Sequence, residues 1–119
     1  MSDFESSAKL FKTLMHPARL EILDVLRDGE HCVCHIEAAL GYRQAYISQH
    51  LMVLREAGLV QDRRDGWNIF YRVVQPAVYA VIDAALRTMS ESKTAVRRKS
   101  TQVVSCTCPT CQPLEKMPA

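Results

Sequence analysis

The chain has 119 residues, with 15 Lys+Arg against 13 Asp+Glu and a net charge of +2. That length suits one domain with a tail. So small a charge excludes polyanion binding through overall charge alone; phosphate contacts must be concentrated locally or doubled by dimerisation.

No apolar stretch approaches the ~20 residues of a membrane helix. No basic segment leading into an apolar run opens the sequence, so neither a membrane anchor nor a secretory signal is expected. A cytoplasmic protein is the expectation, with its thiols reduced. The five cysteines are an odd number in two clusters, which favours metal or redox chemistry over a disulfide framework.

In chain order, Asp3 to Met15 reads as a short amphipathic helix with Phe4, Leu10, Phe11 and Leu14 among polar residues. His16-Pro17 breaks it, and Pro17 suits the first position of a second helix. Leu20, Ile22, Leu23, Val25 and Leu26 form that helix's apolar face, and Asp28-Gly29 ends it. A third helix is expected from about Val33 to Leu40, closed by Gly41. After a short turn, Gln44 to Ala57 forms a fourth, with Ile47, Leu51 and Leu54 at i, i+4 and i+7 and Gly58 as its stop.

Leu59 to Arg64 and Trp67 to Val74 read as two strands, with Asp65-Gly66 as the two-residue hairpin loop. Pro76 is expected to open a last helix carrying Val78, Val81, Ile82, Ala85 and Met89 on one stripe. Beyond residue 90, Ser, Thr, Lys, Arg and Pro dominate and periodicity is lost. The expected organisation is a domain over 1–90 and a flexible, cysteine-containing tail over 91–119. The basic run Arg97-Arg98-Lys99 in that tail reads as a solvating cluster or an added nonspecific DNA contact.

Helices followed by a short turn, a polar-faced fourth helix and a hairpin make a mainly α winged helix-turn-helix with a β-hairpin wing. The third helix would support and the fourth would read DNA. Its outward face carries Arg43, Gln44, Tyr46, Ser48 and Gln49 near the N-terminal end, where recognition helices meet base edges. Gln pairs with adenine and Arg with guanine. Tyr46, Ser48 and the wing residues Arg63, Arg64 and Asn68 suit phosphates or sugars. His50 suits either a phosphate contact or packing between helices. The plainer alternative for the whole set is a solvated helix face.

Cys32-Val33-Cys34 stands at the head of the supporting helix, and Cys106, Cys108 and Cys111 lie in the tail. Two thiols one residue apart form a grip for soft ions. The alternatives are a small buried apolar pair and a tail that scavenges metal without signalling.

The combination of His16-Pro17-Ala18-Arg19-Leu20-Glu21-Ile22-Leu23, Cys32-Val33-Cys34, Ser48-Gln49-His50-Leu51, Leu54 to Val60 and Trp67 to Tyr71 resembles the ArsR/SmtB repressors over about residues 5 to 90. The resemblance implies a homodimeric winged-helix repressor that leaves its operator when a toxic metal binds. It also implies an interface between first and last helices, here Phe4, Leu10, Phe11 and Leu14 with the stripe from Val78 to Met89. A C2 dimer fits two recognition helices reading a near-palindrome one helical turn apart.

Arsenic-responsive members of that family often carry CxCxxC, and the third position here is Glu37. Cadmium- and lead-responsive members add thiols from a flexible terminus, a role open here to Cys106, Cys108 and Cys111. The 17-residue span from Met89 to Cys106 reaches ~20–25 Å as a coil. Two helix thiols with one tail thiol would form a trigonal site for As(III), with Sb(III) as its analogue, or Pb(II); two with two would form a tetrahedral site for Cd(II) or Zn(II). His31 or His35 could supply a nitrogen ligand. The family's second site, Asp with His on the last helix, is not expected, since that helix has Asp83 but no His.

Two rival readings share these residues. One is a thiol redox or persulfide sensor on the same fold. The other is a metal storage or chaperone module without operator affinity. No catalytic set, phosphate loop or organic cofactor site can be assembled, so enzymatic activity is not expected.

Overall fold

The computed structural model describes residues 2–90; the tail cysteines Cys106, Cys108 and Cys111, and the expected tail over 91–119, lie outside the described residues. Helix α1 (Asp3–Leu14) opens on a capping box in which Ser2 and Glu5 bond to each other's backbone N–H. Helix α2 (Pro17–Val25) begins with Pro17 and is capped by His16, whose Nδ1 accepts from the Ala18 N–H at 3.3 Å. A 3-10 turn (Leu26–Asp28) extends it. Strand β1 (His31–Cys32) runs directly into α3 (Val33–Leu40). Gly41 closes α3 at φ 81°, and its N–H donates to the Glu37 carbonyl. A side chain at that positive φ would be strained.

Helix α4 (Gln44–Glu56) follows, then strands β2 (Val60–Asp65) and β3 (Asn68–Val73), then α5 (Val78–Met89). The sheet order is β1-β3-β2, antiparallel throughout. These elements form the winged helix-turn-helix expected from the sequence.

Three local expectations shift. The hairpin loop is Gly66-Trp67, because Asp65 stays paired with Asn68 and the positive φ falls on Gly66 at 65°. Pro76 sits in the turn before α5 rather than in its first turn. Strand β1 was not foreseen: His31 pairs with Tyr71 and Cys32 with Phe70.

The core follows from the apolar periodicities. Ile22 and Leu23 of α2, Ile36 of α3, and Ile47, Leu51 and Leu54 of α4 have no exposed surface. Each such side chain contributes roughly 1.5–3 kcal/mol relative to an exposed one. Val60, Tyr71, Val78 and Ile82 extend this core to the base of the wing and to α5. The Tyr79 hydroxyl donates to the Leu23 carbonyl at 2.6 Å, and Arg27 grips Asp83 through two bonds of 3.0 and 3.1 Å. Helix α5 is thereby fixed against the end of α2, and Asp83 is engaged by a guanidinium.

The outward faces of α1 and α5 remain apolar. Phe4 is 86% and Met89 80% exposed, and Phe11, Met15 and Leu86 are exposed as well. Among the described residues, no helix is long and apolar enough to cross a membrane.

Candidate nucleic-acid interface and thiol junction

Burial of Ile47, Leu51 and Leu54 fixes the rotation of α4. Gln44, Tyr46 and Gln49 are therefore exposed, Ser48 is half-buried, and Arg43 stands exposed at the N-cap without a side-chain capping bond. The first turn of α4 holds no acidic residue, so the partial positive charge of the helix start is left for an anion. Five of the expected reading residues thus share one end of α4.

The wing residues differ from one another. Arg64 is exposed, with no ion pair among the described residues. Arg63 is held by Glu30 at 2.7 and 3.1 Å, lies over the Phe70 ring and approaches Asp65 at 3.8 Å. Its hydrogen bonds hold the Glu30 carboxyl below the usual carboxylate range. Arg63 must exchange Glu30 for a phosphate to contact DNA, whereas Arg64 need not. Asn68 is half-buried at the wing tip.

His50 is not on this face. It is 6% exposed and points towards α2. Arg19 Nε donates to its Nδ1 at 3.1 Å, so the ring proton sits on Nε2, which has no hydrogen-bond partner among the described residues. The His16 ring lies 4.3 Å away and Tyr46 meets His50 edge-on at 4.6 Å. Tyr42 continues the series, 5.1 Å from Tyr46, and its hydroxyl donates to Glu21 at 2.5 Å.

Of the two roles open to His50, packing is the one its position supports. Its spacing from Ile47 and Leu54, i+3 and i−4, is the signal that could have marked it as inward. Arg19 went unrecognised as a site residue. It joins α1 to α4, because its Nη1 also donates to the Thr13 carbonyl at 3.0 Å.

The thiols are placed asymmetrically. Cys32 is 1% exposed and caps α3: its Sγ accepts the His35 N–H at 3.3 Å. Its backbone is at the same time the end of β1, paired with Phe70 of the wing strand β3. Cys34, two residues on, is half-buried. His31 and His35 stack at 3.9 Å and 7°, and His31 Nε2 bonds Asp28 at 3.0 Å.

Among the described residues, no group of three or more His, Cys, Asp or Glu side chains is arranged to hold a metal ion. The donor chemistry of the Cys32/Cys34 pair fits a thiophilic ion.

Residues 16–62 match the family described as "Bacterial regulatory protein, arsR family". The Biofilm growth-associated repressor of Agrobacterium fabrum is 48% identical over 77 residues, 65% of this chain and 66% of that protein. The arsenical resistance operon repressor of Escherichia coli is 43% identical over 94 residues, covering 76% of this chain and 80% of that protein. Among solved structures, the antimony-specific transcriptional repressor AntR matches with a TM-score of 0.68 and 31% identity, over 75% of this chain and 81% of that one. The matched proteins are winged-helix transcriptional regulators, not enzymes. This chain belongs to the ArsR family of transcriptional repressors.

Burial first, then the neighbouring His16 and Arg19 side chains, push the His50 imidazole below its ordinary pKa of 6.5. Protonation also needs Nδ1, which the Arg19 bond occupies. The unfolded chain therefore takes up this proton first. The contribution is level above pH 6.5 and is lost as pH falls from 6.5 to the lower folded value. His35, lowered chiefly by burial, adds a slope of the same sign. Urea midpoints followed from about pH 8 to about pH 5 should fall, and the fall should be shallower in His50→Gln. An equal slope in that variant would show that His50 titrates as if exposed.

Proposed function

We propose that this chain represses transcription as an operator-bound homodimer in the cytoplasm and is released when Cys32 and Cys34 bind a thiophilic ion together with tail thiols. The observation that carries the reading is the double role of Cys32, as N-cap of α3 and as the β1 residue paired to the wing. The arsenical and antimony repressors among its relatives support a metalloid effector.

Arg43, Gln44, Tyr46, Ser48 and Gln49 would meet the major groove, and Arg64 a phosphate. Arg63 and Asn68 are secondary wing contacts, and His50 orients α4 from behind.

Such an ion supplies strong bonds to thiolate sulfur. Cys32 and Cys34 would hold it with one or two of Cys106, Cys108 and Cys111; As(III), Sb(III) and Pb(II) suit three sulfurs and Cd(II) four. Side chains at i and i+2 of a regular helix point about 200° apart. We infer that drawing the Cys32 and Cys34 sulfurs onto one ion turns the Cys32 Sγ away from the His35 amide. The first turn of α3 then loses its cap, worth ~0.5–2 kcal/mol for good capping residues. Loosening there reaches both the α3 support under α4 and the β1–β3 rung under the wing. A coupling of ~1–3 kcal/mol, common for allosteric pairs, would weaken operator binding 5- to 150-fold.

The dimer reading rests on the apolar outer faces of α1 and α5. Phe4, Phe11, Leu86 and Met89 lie there in water, where a bare patch would be a liability. Leu86→Glu alters a side chain that is 49% exposed in the single chain. It should leave the fold intact and give monomers at micromolar concentration in sedimentation. An unchanged dimer mass would refute this interface.

For the effector, arsenite, antimonite, Cd(II) and Pb(II) should each be titrated against a preformed complex with duplex DNA. Release by at least one ion is expected for the intact chain and lost in Cys34→Ser and in a chain ending at Ser105. If the shortened chain responds at the same concentration, the tail thiols play no part. If only a thiol oxidant releases DNA, cysteine oxidation replaces ion binding as the signal.

A further inference from the structure

Arg19 stands where three helices meet. It lies in the first turn of α2, and its side chain bonds to the helices on either side. Its Nη1 donates to the Thr13 carbonyl at 3.0 Å and its Nε to His50 Nδ1 at 3.1 Å. Thr13 belongs to the last turn of α1, where carbonyls lose their partners within the helix. The Lys12 and Leu14 carbonyls take the Met15 and His16 N–H groups, and the Thr13 carbonyl takes the guanidinium. His50 is buried in the middle of α4. One planar side chain therefore ties the end of α1 to the recognition helix.

Ile47, Leu51 and Leu54 are fully buried on the same side of α4, and a leucine at position 50 would widen that stripe. His50 instead buries an Nε2 that has no hydrogen-bond partner among the described residues, an arrangement that costs stability. What the imidazole adds is direction. Apolar contacts tolerate a small rotation of a helix, whereas a hydrogen bond weakens steeply away from its best angle. The donor is a guanidinium, whose N–H groups leave in a rigid planar fork, so both ends of the tie have fixed directions. The tie continues to the reading face: Tyr46, one turn before His50 and 38% exposed, meets the imidazole edge-on at 4.6 Å.

We propose that Arg19 is a positioning residue that passes the placement of α1 to α4, so that the Thr13–Arg19–His50 tie sets which half-site spacing the dimer accepts. The inference rests on the operator-bound dimer proposed above. In that dimer α1 lies at the subunit contact through its exposed Phe4 and Phe11, and Arg19 fixes α4 to this same helix. With the tie intact, the two recognition helices keep one separation and one relative angle. Without it, each α4 still folds on its buried stripe and still reads its half-site, but the pair accepts a wider range of spacings.

The probe is a fluorescently labelled duplex selected by the full-length protein from a random-sequence pool, with a second copy lengthened by one base pair between its half-sites. The insertion separates the half-sites by ~3.4 Å and turns them by ~35°. The parent protein should bind the lengthened duplex roughly tenfold or more weakly. In Arg19→Gln and in His50→Leu the two affinities should come within about threefold of each other, with the dimer mass unchanged in sedimentation. His50→Leu should melt at or above the parent's temperature, because it removes a buried N–H without a partner. A residue that merely supports the fold would not lose discrimination in a protein that is no less stable. His50→Asn should keep the parent's discrimination, since its Oδ1 falls where Nδ1 was and accepts the same Arg19 bond.

Parent-like discrimination in both Arg19→Gln and His50→Leu would overturn the inference and leave the operator reading in place. So would a salt dependence in Arg19→Gln that is shallower by about one phosphate, which would make Arg19 a contact to the DNA backbone. If the full-length chain selects no duplex with two half-sites, the operator reading fails and the inference with it.

Discussion

The Cys32 thiol accepts the His35 amide proton at the point where strand, supporting helix and wing meet. On one side its backbone ends β1 against Phe70. On the other it starts α3, whose Ile36 is buried against the core beneath α4. The chain passes from one element to the other without a loop residue. A change in the direction of this one side chain acts directly on the first turn of α3 and, through the backbone, on the pairing of β1 with β3. This rigid junction makes a thiol here a plausible lever, where the same thiol on an exposed loop would signal nothing.

The recognition helix is also held from behind. His16 caps α2 and stacks beside His50, and Arg19 bonds both His50 and the Thr13 carbonyl. The start of α2, the end of α1 and the middle of α4 thus form one polar cluster at the edge of the apolar core. Its unpartnered Nε2 is a local energetic liability, since a buried polar group without a partner costs about 1–3 kcal/mol. The compensation is orientation: with Ile47 and Leu51 packed inward and His50 fixed by Arg19, α4 has little freedom to rotate its reading face. The lever at Cys32 and the clamp at His50 act on α4 through different neighbours, α3 and α2.

Much of this was legible in the sequence, and the failures have physical causes. Ile47, Leu51 and Leu54 announced α4 and its inward face because a helix buries residues every three to four positions. Pro17 and Gly41 marked helix ends through their backbone preferences. Strand β1 was invisible, since two residues carry no periodicity and their pairing depends on β3, far along the chain. The cap was missed because Ser, Thr, Asp and Asn are the usual capping residues, and a thiol does the task only by virtue of where β1 delivers it. The hairpin loop slipped by one residue because Asp-Gly and Gly-Trp both place a glycine in the turn, and strand register decides between them. His50 was left open because Ser48-Gln49 suggested an outward face while its partner Arg19 lies on another helix. The thiol pair itself was plain in the sequence, but its burial and its tie to the wing were not.

In the proposed switch, ligand binding at Cys32 uncaps α3 and loosens the wing rung. Hydrogen exchange at the His35 and Tyr71 amides of the full-length protein, with and without saturating arsenite, tests it most directly. Both amides should lose protection when the ion binds, while amides in the centre of α4 keep theirs. Unchanged protection at His35 in protein that has nonetheless released its DNA would contradict it.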